Sequence, residues 1–114
     1  MRFMLQVRFR GAAAAIATLS AEDQRTVAAE FQAILRSPGV LDGNQLQPAG
    51  AAATVRVENG ETRVTDGPAV DPDAALDGYY LCEAFDIETA IALAARIPVA
   101  RLGGTIEVRP LHDR

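Results

Sequence analysis

From Arg2 to Arg10 the chain alternates: Phe3, Leu5, Val7 and Phe9 are apolar, and Arg2, Met4, Gln6, Arg8 and Arg10 lie between them. A period of two is that of a strand with one buried face. The period changes after Ser20, where Val27, Phe31, Ile34 and Leu35 recur at i, i+4, i+7 and i+8. That stripe belongs to an amphipathic helix. Ser20, with Asp23 three residues on, supplies a capping-box-like start, and Ser37-Pro38-Gly39 supplies a stop, so the helix is placed at about Ala21 to Arg36.

Gly39 to Leu46 allows a short strand, and Gln47 to Gly50 with three alanines forms a connection that has little to pack. Next comes the sharpest local signal. TVRVE and ETRVT flank Asn59-Gly60, a pair suited to the two positive-φ positions of a type I′ turn, which predicts a β-hairpin. In that register Val55 faces Val64, Val57 faces Thr62, Arg56 faces Arg63 and Glu58 faces Glu61; diagonal Arg–Glu pairs offset the like charges. GYYLCEAF, Gly78 to Phe85, has the composition of a central strand, with apolar residues on both faces. Asp86 caps a second helix whose buried side is expected to hold Ile91, Leu93, Ala94 and Ile97, with Pro98 at its end. Thr105 to Arg109 alternates as a last strand.

The order is strand, helix, strand or hairpin, strand, helix, strand, over residues 1–114 as one domain. This is the α+β, ferredoxin-like β-α-β-β-α-β arrangement, an antiparallel sheet with helices on one face and an extra hairpin. The other sheet face has no cover within the chain, so a homodimer stacking sheet on sheet into a barrel is expected.

Composition narrows the chemistry. The 114 residues suffice for one core, but 49% are apolar partly through alanine, and with no Trp, four Phe and two Tyr that core is mostly aliphatic. All eleven basic residues are arginine, which removes lysine chemistry. A net charge of −4 without a basic stripe argues against nucleic acid as a partner. The arginines at 2, 8 and 10 before AAAAIATL imitate a signal peptide, but the strand alternation contradicts it. No run approaches the ~18 apolar residues of a membrane span. Cys82, the lone cysteine, sits in an apolar strand and suits a reducing, cytoplasmic location.

Among candidate site residues Asp66 stands out. A carboxylate at a strand end can serve as a general acid or base when burial raises its pKa, and an aspartate before Gly67-Pro68 can equally close an Asx turn. The acidic run Asp66, Asp71, Asp73, Asp77 fails as a calcium loop: Ala75 takes the fifth position and glycine falls at the eighth. No metal site and no cofactor are expected, and Asp71 is read as the cap of a single turn with Pro72 at its first position. Tyr79 and Tyr80 point to opposite faces of their strand, so that one can meet a ligand. Arg101 and Arg109 can each clamp a carboxylate or form a surface ion pair. Cys82 reads as a small buried hydrophobe and Ser20 as a cap.

Thr65-Asp66-Gly67-Pro68, LDGYYL at 76–81, ARIPVAR at 95–101 and IEVRP at 106–110 carry a resemblance to the YCII-related proteins, in the branch named for its Asp-Gly-Pro-Phe motif. The resemblance implies a dimeric α/β barrel. Smaller relatives are suspected enzymes with a His-Asp pair in a cleft beside the sheet. The chain departs from this pattern: Ala69 replaces the motif phenylalanine, Val70-Asp71-Pro72-Asp73 replaces a lysine-containing segment, and the one histidine, His112, is in the C-terminal tail. Three readings follow. The first is a homodimer binding a small organic molecule near Asp66, Gly67, Pro68, Tyr79, Tyr80 and Arg101. The others are a cofactor-independent isomerase, lyase or hydrolase-like enzyme using Asp66, and a non-catalytic interaction or regulatory protein.

Overall fold

The computed structural model describes residues 1–113. Strand β1 (Arg2–Arg8) carries the alternation into space: Phe3, Leu5 and Val7 are buried on one face. A short helix, α1 (Ala12–Ala17), precedes α2 (Ala21–Leu35), which begins where the Ser20 hydroxyl accepts the Asp23 N–H at 3.0 Å. Strand β2 (Val40–Gln45) follows, and after a 3₁₀ turn the hairpin strands β3 (Ala53–Glu58) and β4 (Glu61–Asp66). Strand β5 (Gly78–Glu83), helix α3 (Ile87–Ala95), the short α4 (Pro98–Arg101) and β6 (Thr105–Pro110) complete the chain. Asp71 caps the 3₁₀ turn Pro72–Ala74 by accepting the Asp73 N–H at 2.9 Å, the local structure read from Asp-Pro.

The sheet order is β2-β5-β1-β6, every pairing antiparallel, which is consistent with a ferredoxin-like fold. One face packs under the helices. Phe3 sits opposite Cys82 and Leu5 opposite Tyr80, and Ala90 and Ala94 of α3, Ile97 between the two helices and Val99 of α4 join them. The expected burial of Ile91 is incorrect: it is 50% exposed, and Ala90 takes the inward position one residue earlier, with Ala94 one turn on. Small side chains at 90 and 94 let the helix lie close to the strands. Pro98 is three residues beyond the end of α3 and opens α4, where its fixed φ and missing N–H suit a first turn.

The opposite sheet face is mixed. Met4, Tyr79 and Leu81 share it with Arg2, Gln6 and Arg8, all of them half-buried.

The hairpin has the expected register, with Val55 opposite Val64 and Glu58 opposite Glu61, and positive φ at Asn59 and Gly60. The Arg63–Glu58 pair at 3.0 Å is the diagonal contact that relieves facing like charges. It forms a separate two-stranded sheet and touches the rest of the fold only marginally. Its valines at 55, 57 and 64 are 60–68% exposed. The projecting hairpin accounts for a radius of gyration of 16.0 Å, against about 13 Å for a compact domain of this length.

Candidate functional site

A cavity of about 440 Å³ opens between α2 and the edge of the sheet formed by β2 and β5. Helix periodicity builds one wall: Val27, Phe31 and Leu35 present the apolar stripe, and Gln24 and Gln32, eight residues apart, border it. The floor is Gly43 and Asn44 of β2 with Tyr80 of β5. Phe9 and Ile16 close the end nearest β1 and α1.

Gly43 makes this floor possible. It lies opposite Tyr80 across the β2–β5 pairing, and a Cβ there would stand 2.5 Å from Tyr80 Cδ1 and 2.8 Å from Leu35 Cδ2. The Tyr80 ring therefore lies directly over the bare backbone of β2. The ring is 8% exposed, and burial pushes the phenol above its usual pKa, so it is protonated at neutral pH. Among the described residues nothing accepts a hydrogen bond from its hydroxyl. Its oxygen is not among fully enclosed polar atoms, so it stays reachable.

Asp77 holds the cavity's end in shape. Its N–H donates to the Val7 carbonyl at 2.8 Å, its carbonyl accepts from Leu46 N–H at 2.8 Å, and its carboxylate accepts the Phe9 N–H. Three chain segments meet on this one residue.

Of the six residues the sequence assigns to a ligand site, only Tyr79 and Tyr80 line the cavity; Asp77 of the acidic run lines it as well. Tyr79 turns to the opposite sheet face, where its hydroxyl accepts from Asn44 Nδ2 at 2.9 Å. Asp66, Gly67 and Pro68 lie at the root of the hairpin. Gly67, at φ 96°, donates its N–H to the Ala52 carbonyl at 2.7 Å and accepts the Thr54 hydroxyl at 2.8 Å. The turn is thus closed by backbone and Thr54, while the exposed Asp66 carboxylate has no hydrogen-bond partner among the described residues. Arg101 is engaged bidentately by Glu30, both contacts 2.6 Å, which ties α4 to α2 and holds the Glu30 carboxyl below the usual range. Arg109 pairs with Glu107 at 3.3 Å. Cys82 is buried, its thiol pKa pushed up by desolvation.

Sequence reading missed Asp77 as a support and Gly43 as a floor. Gln24 and Gln32, neutral and flanking an otherwise apolar stripe, were the available signal for a cavity rim.

Residues 1–113 match the YCII-related domain. The chain belongs to that family. It is similar to an uncharacterised protein of Rhizobium meliloti (strain 1021), 40% identical over 68 residues that make up 59% of this chain and 55% of the relative. The likeness thus spans about half of that curated relative's length. In this YCII-related chain His112 is exposed and follows β6, away from the cavity wall. Among the described residues no group of three or more His, Cys, Asp or Glu could hold a metal ion, and no helix is long and apolar enough to cross a membrane.

Proposed function

We propose that this YCII-related protein, of the Asp-Gly-Pro-Phe branch, binds a small organic molecule in the cavity beside Tyr80, as a cytoplasmic homodimer. The cavity carries the reading. Its 440 Å³ falls within the ~300–1,000 Å³ of small-molecule sites, and it has their make-up, apolar walls with a few convergent polar groups. Support for the dimer comes from the half-buried Met4, Tyr79 and Leu81 on the sheet face opposite the helix-packed core, from the exposed valines of the hairpin, and from the resemblance to dimeric α/β barrels. The buried lone thiol of Cys82 suits a reducing compartment.

A second reading is a cofactor-independent isomerase, lyase or hydrolase-like enzyme with Asp66 as acid/base; its support is that the carboxylate has no hydrogen-bond partner among the described residues, while its exposure does not supply the burial that role calls for. Loss of a turnover in Asp66→Asn with unchanged folding would support it.

Native mass spectrometry of freshly purified protein tests the first reading. The expected spectrum is a dimer with retained small-molecule mass that disappears in Ala28→Phe, which fills the cavity from its helical wall. A monomer at micromolar concentration removes the dimer. Retained mass that survives Ala28→Phe moves the ligand elsewhere, and a bare dimer favours an interaction role.

A further inference from the structure

The chemistry of the cavity wall constrains what it can take. Among the described residues no arginine lines it, and the chain has no lysine. Arg8, Arg10 and Arg101 are committed outside it, to the Ala74 carbonyl, Asp73 and Glu30. An anion entering this site would lose its water and gain no counter-charge, which is costly. The one carboxylate lining it among the described residues, Asp77, already accepts the Phe9 N–H, so a cation would have to share a structural group.

The remaining polar groups are neutral. The Tyr80 hydroxyl is a donor without a protein acceptor among the described residues, on a side chain that lines the chamber together with Phe9, Val27, Phe31 and Leu35. At the rim, Gln24 Nε2 is occupied by the Leu19 carbonyl at 3.0 Å, which leaves its oxygen as an acceptor. A reachable donor without a protein acceptor, beside apolar walls, is open to a ligand acceptor in exchange for water.

We infer that the cavity selects an uncharged molecule with an apolar ring or alkyl body and a carbonyl-type oxygen that accepts a hydrogen bond from Tyr80. The inference rests on the reading that this cavity holds a ligand, and adds the ligand's chemical class.

The test is a protein-observed NMR titration with four probes of similar size: acetophenone (neutral acceptor), toluene (no acceptor), benzoate (anion) and benzylamine (cation). Acetophenone is expected to bind tightest, with shifts centred on Gly43 and Tyr80. Tyr80→Phe, which keeps the ring and removes the donor, is expected to lower acetophenone affinity about 3- to 10-fold relative to toluene. Benzoate or benzylamine binding there as tightly as acetophenone would overturn the ligand class and leave the cavity a ligand site. Unchanged acetophenone selectivity in Tyr80→Phe would overturn the role of the hydroxyl. If none of the four probes shifts these resonances at millimolar concentration, the cavity itself is not a ligand site and the inference falls with that reading.

Discussion

Replacing Gly43 by alanine sets two effects of opposite sign against each other. Gly43 lies in β2 and is not a positive-φ glycine, so its backbone accepts alanine, and restricting the unfolded chain would stabilise the protein by about 0.4–1 kcal/mol. Against this, the new methyl would stand 2.5 Å from Tyr80 Cδ1 and 2.8 Å from Leu35 Cδ2. Carbon atoms rest at about 3.5–4.0 Å, so the ring must move by about 1 Å. Overpacking of this kind costs about 1–3 kcal/mol. The cavity lies beside Tyr80, so the ring can yield into open space, and the cost should fall near the middle of that range. We expect a net loss of about 1 kcal/mol, or about 4 °C in Tm. Urea unfolding followed by circular dichroism measures the loss, and the Tyr80 resonances report the ring's displacement. A Gly43→Ala protein that is more stable than wild type, with Tyr80 undisturbed, would refute the close approach of ring and strand on which the cavity floor depends.

Asp77→Ala is expected to destabilise by about 1–3 kcal/mol, because the partly buried Phe9 N–H loses its acceptor; Asp77→Asn should restore much of this, measured by the same unfolding curves. Asp86 caps α3 by accepting the Thr89 N–H at 2.9 Å and the Thr89 hydroxyl at 2.6 Å, which lowers its folded pKa. Its contribution should therefore be complete above the ordinary carboxylate value near 4 and fall away as pH drops through the lowered folded value. Acid titration of Asp86→Ala should lack that component, and an unchanged profile would contradict the cap. The Tyr80 phenol, raised by burial, stabilises fully below about 10 and ceases to do so as pH climbs through its higher folded value. Absorbance titration near 295 nm should lose its latest component in Tyr80→Phe. Cys82, buried with a raised thiol pKa, should react with a disulfide reagent only at the rate of protein opening, and fast reaction in the native state would show it accessible.

The features written in the sequence are those whose causes lie within a few residues. Asn59-Gly60 sets the hairpin register because few other pairs take two positive-φ positions, and every facing pair from Val55–Val64 to Glu58–Glu61 follows from it. Ser20, Asp71 and Asp86 cap their turns because each side chain reaches a backbone N–H two or three residues ahead. The opposite orientations of Tyr79 and Tyr80 follow from the pleat alone.

Only the tertiary structure decides where β2 lies against β5. The register shifts between Val40 and Asp42, and this bulge brings Gly43 under Tyr80, 37 residues away along the chain. Neither residue announces the other, since the pairing is chosen by packing against Leu35 and the helix stripe, not by local preference. The same holds for Asp77, an unremarkable member of an acidic run until Phe9, Val7 and Leu46 meet around it. It holds too for Ile91, exposed because α3 approaches the sheet through alanines. A cavity is the space left between elements, and its shape depends on distances that no single segment contains.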